Sequence, residues 1–398
     1  MKCIVIGGGA AGLMAGCMLA RAGLRVEILE KQPRVGKKLL ATGNGRCNFT
    51  NMCAAPDDYH GSRAHIEAVL RDCPPEEVAG IFEEMGVPAY VDSQGRAYPM
   101  SNMASSVLDA LRLAFSEAGG AVNTSFEAVS LAKERDFAVA SADGRVSRGD
   151  RVILAVGGLA APRLGGGDGA ALIARTGHKM TPRFPAITPV RTETGPIRGL
   201  KGMKVRGRVA LMDGAEALRS ESGEVLFTEY GLSGICVMQL SRMINGLKNP
   251  SISLDMAPDM PEAALFARAR ALENRALEDF LNGIVPRRVG ISVLKHAGIC
   301  DISARAGDLS RKNISAIYRA MRNFTLKVQG ACGFDNAQVT AGGVDMGGFD
   351  PETLESRMVP GLYVAGEFCD VDGDCGGYNL NWAWASAICA ARSIIETA

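Results

Sequence analysis

A short apolar run, residues 3–6 (CIVI), passes directly into Gly7-x-Gly9-x-x-Gly12, and this opening limits what the chain can fold into more than any other stretch. A strand that breaks into glycine and restarts as a helix can be built in few ways. Gly7 lets the backbone turn sharply, Gly9 leaves room for a pyrophosphate to approach the main chain, and Gly12 lets the following helix, expected over residues 13–22, pack on the sheet. The positive end of that helix then faces phosphate oxygens. A second apolar run, residues 24–29, ends in Glu30, where a carboxylate accepts hydrogen bonds from an adenosine ribose. A glycine turn alone is common, and its blander readings are a tight connection in some α/β sheet or a methyl-donor-binding turn. Strand before, helix after and acid at the next strand end favour a dinucleotide-binding βαβ unit. They do not say whether the dinucleotide is FAD or NAD.

At 398 residues, 47% of them hydrophobic, the chain exceeds one ordinary core, so two or three domains are expected. Lysine plus arginine (44) nearly balances aspartate plus glutamate (43), which offers no global field for nucleic acid or an anionic membrane. The first apolar run is too short for a secretory signal and no later one spans a bilayer, so a cytoplasmic location and no membrane partner are expected. Eleven cysteines without a CxxC pair read as reduced, mostly buried thiols; a redox or metal role for Cys47/Cys53 or Cys369/Cys375 is the minor reading. The four histidines share no spacing, and each reads as structural or superficial.

After Glu30, residues 31–51 carry five basic residues and several glycines with no strand or helix period, which favours a ligand-facing loop over a solvated one. Helices are expected over 62–72, 75–86 and 106–118, a hairpin around Gln94-Gly95, and a small antiparallel piece over 121–131 and 136–142. The buried run 152–156 breaks into Gly157-Gly158. Gly165-x-Gly167-x-x-Ala170 imitates the opening fingerprint, but no strand feeds it and no acid-ended strand follows, so it reads as a loop and helix start. Prolines 182, 185, 189 and 196 mark a boundary, followed by alternating segments at 204–212, 224–228 and 252–254 that suggest an antiparallel sheet. Residues 259–323 look mostly helical, with Arg287, Arg288, Arg311, Lys312, Arg319 and Arg322 giving a basic but solvated face. The end of the chain returns to the opening pattern: GLYVAGE breaks into glycine and leads through VDGDCGGYN to a last helix. Asp370-x-Asp372-x-Asp374 has Cys375 and Asn381 where a calcium loop needs glycine and glutamate, so no metal is expected.

The opening fingerprint, the ILAVGG break and the acid-ended GLYVAGE strand together resemble the two-dinucleotide-binding-domain flavoproteins, the glutathione-reductase-like superfamily. Within it, GKKLLATGNGRCNFTN, GRAYPMS, GEVLFTEYGLSG, VTAGGV and GLYVAGEFCDVDGDCGGYNLNWAWAS resemble the HI0933/YhiN-type family of FAD-dependent oxidoreductases, which includes bile-acid 4,6-ene reductases and aminoacetone oxidases. The resemblance implies an α/β fold in three parts. These are a discontinuous Rossmann-like FAD-binding domain (1–188 and 335–398), an inserted antiparallel β domain (189–257 and 324–334) and an inserted helical domain (258–323).

Carried onto this sequence, the resemblance places Gly7, Gly9, Ala10, Ala11 and Gly12 at the pyrophosphate, Glu30 and Lys31 at the adenosine end and Val129 by the adenine. Arg46 lies beside the flavin, Ala155, Val156 and Gly157 beneath the diphosphate arm, and Gly366-Glu367 at the ribityl chain. Gly376, Gly377, Tyr378 and Asn379 then form the flavin pyrimidine edge, where a helix start stabilises negative charge on the reduced ring. Asp374-Cys375 departs from the threonine or proline of many relatives, and an inward-pointing carboxylate there would oppose reduction.

The chemistry implied is hydride transfer through flavin N5. Three functions compete: an NADH- or NADPH-driven reductase of an unsaturated, enone-like small molecule, an FAD oxidase of a small amine, and a flavoprotein acting on RNA. Near-neutral charge and 6% aromatic content speak against nucleic acid. No second fingerprint is present, so a nicotinamide donor would bind transiently over the flavin. Tyr98, Tyr230 and Arg46 are donor candidates to polarise a carbonyl, each equally readable as structural, and no catalytic residue is assigned.

Overall fold

The structure is a computed structural model that describes every residue of the chain except Gly166. The chain divides into two compact units, Met1–Phe184 with Gln338–Ala398, and Pro185–Ala337.

The first unit is built on a parallel sheet. Its strands are β1 (Lys2–Ile6), β2 (Arg25–Leu29), β3 (Ala121–Asn123), β4 (Arg151–Leu154) and β5 (Leu362–Val364), in the spatial order β5-β4-β1-β2-β3. Every neighbouring pair is parallel. Residues 3–6 of the central strand are buried, as an unbroken apolar run in a doubly covered sheet should be. Helix α1 (Ala10–Arg21) starts three residues ahead of the expected point, so Gly12 sits in its first turn. A Cβ on Gly12 would lie 1.8 Å from the Gly7 carbonyl oxygen, and one on Gly16 2.8 Å from Ile28 Cδ1. Both glycines therefore let the helix lie flush on the turn and on β2.

The segment expected as one antiparallel piece is split. Ala121–Asn123 joins the parallel sheet beside β2, and only Ala128–Lys133, Phe137–Ser141 and Val146–Gly149 form the antiparallel layer. The last helix, α2 (Tyr378–Glu396), is buried along most of its length, including Trp382 and Trp384. That explains its nearly continuous apolar sequence.

In the second unit the alternating segments do not form an open sheet. Val190–Thr192, Gly231–Ser233, Glu216–Phe227, Lys204–Asp213, Pro250–Asp255 and Phe324–Ala331 close into a six-stranded barrel in that order. Phe324–Ala331 completes it by pairing with both Val190–Thr192 and Pro250–Asp255, which leaves no free edge. Helices Glu262–Ala271, Arg287–His296 and Arg311–Arg322 bury Leu265, Val293, Ile317 and Met321 in the same apolar cluster as Val209, Ile252 and Leu254 of the barrel. Of the basic residues noted there, Arg287 pairs with Glu278 and Asp279, and Arg322 with Asp255. Residues 276–284 hold the short turn Leu277–Asp279 and isolated bridges at Ala276 and Asn282 in place of a helix.

Two buried histidines tie the loops of the first unit. His65 pairs through Nδ1 with Ser62 Oγ (2.8 Å) and donates from Nε2 to the Phe349 carbonyl (3.2 Å). His178 pairs with Thr176 Oγ1 (2.7 Å) and Ser356 Oγ (3.0 Å) and stacks on the Phe349 ring. Burial pushes both imidazoles below the usual histidine range. A depressed pKa means the folded state resists taking up the proton, so the stabilisation is complete above the unfolded value of about 6.5 and is lost as pH falls through the folded value. The melting temperature should therefore drop as pH is lowered from about 7.5 to about 5. The slope should flatten in the double variant His65→Gln/His178→Gln; an equally steep slope there would assign the acid sensitivity to other groups.

Candidate active site

Two helix N-termini carry the sequence-derived residues of the first unit. At the start of α1, the Gly7 N–H donates to Leu29 O (2.8 Å) and the Ala155 N–H to Ile6 O (2.9 Å). Gly7 has φ +109°, and a Cβ there would lie 2.3 Å from Ala155 O. Gly9, the N-cap, is different: a Cβ on it would meet nothing within 4 Å, and its φ of −82° suits any residue. The first-turn amides that follow have no partner within the helix and point out of its positive end. Glu30 is fixed at the end of β2, where its two carboxylate oxygens accept from the Gly8 and Gln32 amides, each at 2.7 Å. Each oxygen keeps a further acceptor site for a ribose hydroxyl.

Lys31 reaches the same rim, since a Cβ on Gly167 would lie 3.5 Å from Lys31 Nζ and 3.9 Å from Val156 O. Of the glycine run 165–167, Gly166 lies outside the described residues. Gly157 adopts φ +75° as the chain leaves β4. Phe126 donates from its amide to Glu30 O, and the exposed Val129 follows in the next strand.

The second N-terminus belongs to α2. Gly376 (φ +147°) and its N-cap Gly377 (φ +102°) make a turn closed to side chains: a Cβ on Gly377 would lie 2.7 Å from both Asn48 Oδ1 and Thr50 O. Asn379 is committed to this loop. Its Oδ1 accepts from Gly373 N (2.9 Å), and its Nδ2 donates to Gly373 O (2.7 Å) and Asp374 O (3.2 Å). Asn51 Nδ2 donates to Gly376 O (2.8 Å). The Asp374 carboxylate faces His60 Nε2 at 3.0 Å, so the departure noted in the sequence carries a partner of its own. Burial pushes the Tyr378 phenol up to about 12, which keeps it a neutral donor.

Between the two N-termini lies Gly366-Glu367. The Gly366 N–H donates to Ser386 Oγ (2.9 Å), its carbonyl accepts from Trp382 Nε1 (3.1 Å), and a Cβ on it would lie 2.7 Å from Ala11 Cβ. Glu367 accepts from the Thr340 amide (2.9 Å) and from Lys38 Nζ (2.6 Å). Lys38 was not singled out in the sequence; its only signal was membership of the basic run.

Arg46 comes from a segment with unusual backbone. Gly43, Asn44, Gly45 and Cys47 all have positive φ, two of them with side chains that disfavour it. The Arg46 guanidinium stacks over Tyr98 at 4.9 Å, and Tyr98 stacks in turn on Tyr90. Tyr230 lies in the other unit, where its side chain is exposed. Burial raises the Cys47 thiol to about 11 and also pushes up Cys369 and Cys375, so these are protonated thiols. All eleven cysteines are free, and among the described residues no cluster of His, Cys, Asp and Glu is placed to hold a metal.

Asn48 follows, and its Oδ1 is shielded from solvent with no hydrogen-bond partner among the described residues. Such an orphan costs about 1–3 kcal/mol. An open face at Gly9 and two helix N-termini suit a ligand with a diphosphate at one end and a ring rich in hydrogen-bond acceptors at the other. FAD is such a ligand. The two glycines of the fingerprint should then separate experimentally. Gly9→Ala should leave the apoprotein as stable or about 0.4–1 kcal/mol more so, while weakening FAD about tenfold or more by fluorescence titration. Gly12→Ala should fail to give folded protein. Equal FAD affinity in Gly9→Ala and wild type would exclude the diphosphate from that face.

Residues 1–393 match the family described as HI0933-like protein Rossmann domain. The chain is 37% identical to a 3-dehydro-bile acid delta(4,6)-reductase of Clostridium scindens, the match covering 98% of each protein. It is 29% identical to a ribosomal RNA dihydrouridine synthase of Escherichia coli, covering 98% of this chain and 97% of that one. Among solved structures, the 3-ketosteroid delta1-dehydrogenase of Sterolibacterium denitrificans aligns over 100% of this chain and 99% of its own, with a TM-score of 0.54 at 14% identity, a likeness of fold alone. No helix among the described residues is long and apolar enough to cross a membrane. With its Rossmann-like FAD-binding fold and its inserted β and helical subdomains, the chain belongs to the HI0933-like family of FAD-dependent oxidoreductases.

Proposed function

We propose that this oxidoreductase saturates a carbon–carbon double bond conjugated to a carbonyl in a small, largely apolar molecule, drawing its electrons from NADH or NADPH. The observation that carries the reading is the full-length 37% match to a protein named for reduction at such a bond. The second relative is named for making dihydrouridine, which differs from uridine by two hydrogens across a ring double bond beside a carbonyl. Both names therefore point to one reaction type, and the second keeps an RNA uridine as the competing substrate despite the chain's balanced charge.

When bound, FAD would supply hydride to the carbon β to the carbonyl, and water would supply the proton taken up at the α carbon. The residues of the chain do the rest. The α1 amides and Gly9 hold the diphosphate, and Glu30 holds the adenosine ribose. Lys31 adds positive charge at the diphosphate rim, and Val129 borders the adenine. Ala155, Val156 and Gly157 pass beneath the diphosphate arm. Lys38 and Glu367 fix each other at the ribityl chain. Gly376, Gly377 and Tyr378 present amides and the positive end of α2 to the pyrimidine edge, favouring the reduced ring. Asn379 and Asn51 keep that turn in shape, and His60 lies within hydrogen-bond distance of the Asp374 carboxylate. Arg46, stacked on Tyr98, is the cation placed to polarise a substrate carbonyl.

Anaerobic titration with NADH and NADPH should bleach the visible flavin band, and a steroid dienone added under argon should restore it. Restoration only by ribosomal RNA lacking dihydrouridine would select the RNA substrate. No bleaching by either nucleotide, with peroxide formed from a small amine in air, would select the oxidase.

A further inference from the structure

We infer that a cleft in the barrel unit binds a small molecule through a single carboxylate, with Arg198 as the residue that recognises the charge. The inference rests on the second unit alone and on nothing about the flavin or the reaction.

The cleft has a volume of about 420 Å³ and is lined by the loop joining Val190–Thr192 to Lys204–Asp213 and by the turn at Thr228 and Glu229. That is room for a small molecule and not merely for an ion. Its walls are fixed. Ile197 and Leu200 anchor the loop in the apolar cluster of the barrel, each only 2% exposed. Both ends are tied, since the Glu193 N–H donates to Lys327 O and the Gly202 N–H to Phe227 O, each at 2.9 Å. Ser292 Oγ, from the helix Arg287–His296, donates to Pro196 O. Little ordering is therefore needed before a ligand can bind.

Several donors in this rigid loop have no acceptor. Lys201 is paired with Glu229 at 2.6 Å. Arg198 is exposed, and its guanidinium has no hydrogen-bond or ion-pair partner among the described residues. The amides of Gly195, Gly199 and Lys201 likewise meet no acceptor among the described residues, and a Cβ on either glycine would meet nothing within 4 Å. Thr228 gives its hydroxyl proton to Gly231 O (3.0 Å), whereas the Thr194 hydroxyl has no partner among the described residues. A planar cation beside open N–H and O–H donors is the complement of a carboxylate, which only accepts. The charge selects the class. Arg198 and Lys201 against Glu229 leave one positive charge on the lining residues, which balances a monoanion. A phosphate dianion would bring surplus negative charge up to Glu229.

The test is saturation-transfer NMR on the full-length protein as purified, with octanoate and its neutral counterpart octanamide as probes. Wild type should bind octanoate about tenfold or more tightly than octanamide. Arg198→Gln should remove that preference. Arg206→Gln, which takes away an exposed arginine of the same unit outside the cleft, should keep it. Equal binding of the two probes by wild type would overturn the inference, and so would loss of the preference in both variants, which would reduce it to general surface charge. Inorganic phosphate displacing octanoate at lower concentration than acetate does would overturn the carboxylate class. Displacement by an uncharged steroid dienone would make the carboxylate part of the substrate, and independent binding would make it a separate small acid; either result upholds the cleft.

Discussion

Everything about the candidate site depends on one close approach, the wedge of Gly366 between the first helix and the last. Its missing side chain admits Ala11, and its amide and carbonyl are taken by Ser386 and Trp382 of α2. A larger residue would push the helices apart and carry Glu367 away from the start of α1. Because the contact joins residue 11 to residues 382–386, the two ends of the chain must come together before the site exists. Positive φ at Gly366 (+72°) makes glycine doubly necessary there.

Around that wedge the polar groups divide into those that shape the site and those left over. Asn379, Asn51 and Trp384 are satisfied by the backbone and Asn381 by the Thr50 and Tyr59 hydroxyls, and they fix the turn without offering anything outward. What remains is a set of helix-end amides, a carboxylate with acceptor capacity at Glu30 and a cation at Arg46. The division matters because an amide committed to its own loop cannot also bind a ligand at full strength. Asn379, implied by family resemblance to contact the flavin, is committed in this way.

The sequence displayed what is local. Strand, glycine turn, helix and Glu30 lie within thirty residues, and each is marked by composition that serves little else. The start of α1 was placed late because alanines 10 and 11 carry no capping signal, and Gly12 looked like turn and not helix. Barrel closure could not be read, since Phe324–Ala331 pairs across more than sixty residues with Pro250–Asp255 and more than a hundred with Val190–Thr192. The pairing of Ala121–Asn123 is illegible for a related reason: three residues are too few to show whether a strand pairs parallel or antiparallel. Lys38 is hidden because its meaning lies in Glu367, which no spacing in the sequence connects to it.

The central claim is that one FAD spans the two helix N-termini, and a crystal structure of the chain reconstituted with FAD tests it most directly. One flavin per chain is expected, with its diphosphate on the amides of residues 9–11 and its pyrimidine ring on residues 376–378. A ring located elsewhere, with Gly377 untouched, would contradict it.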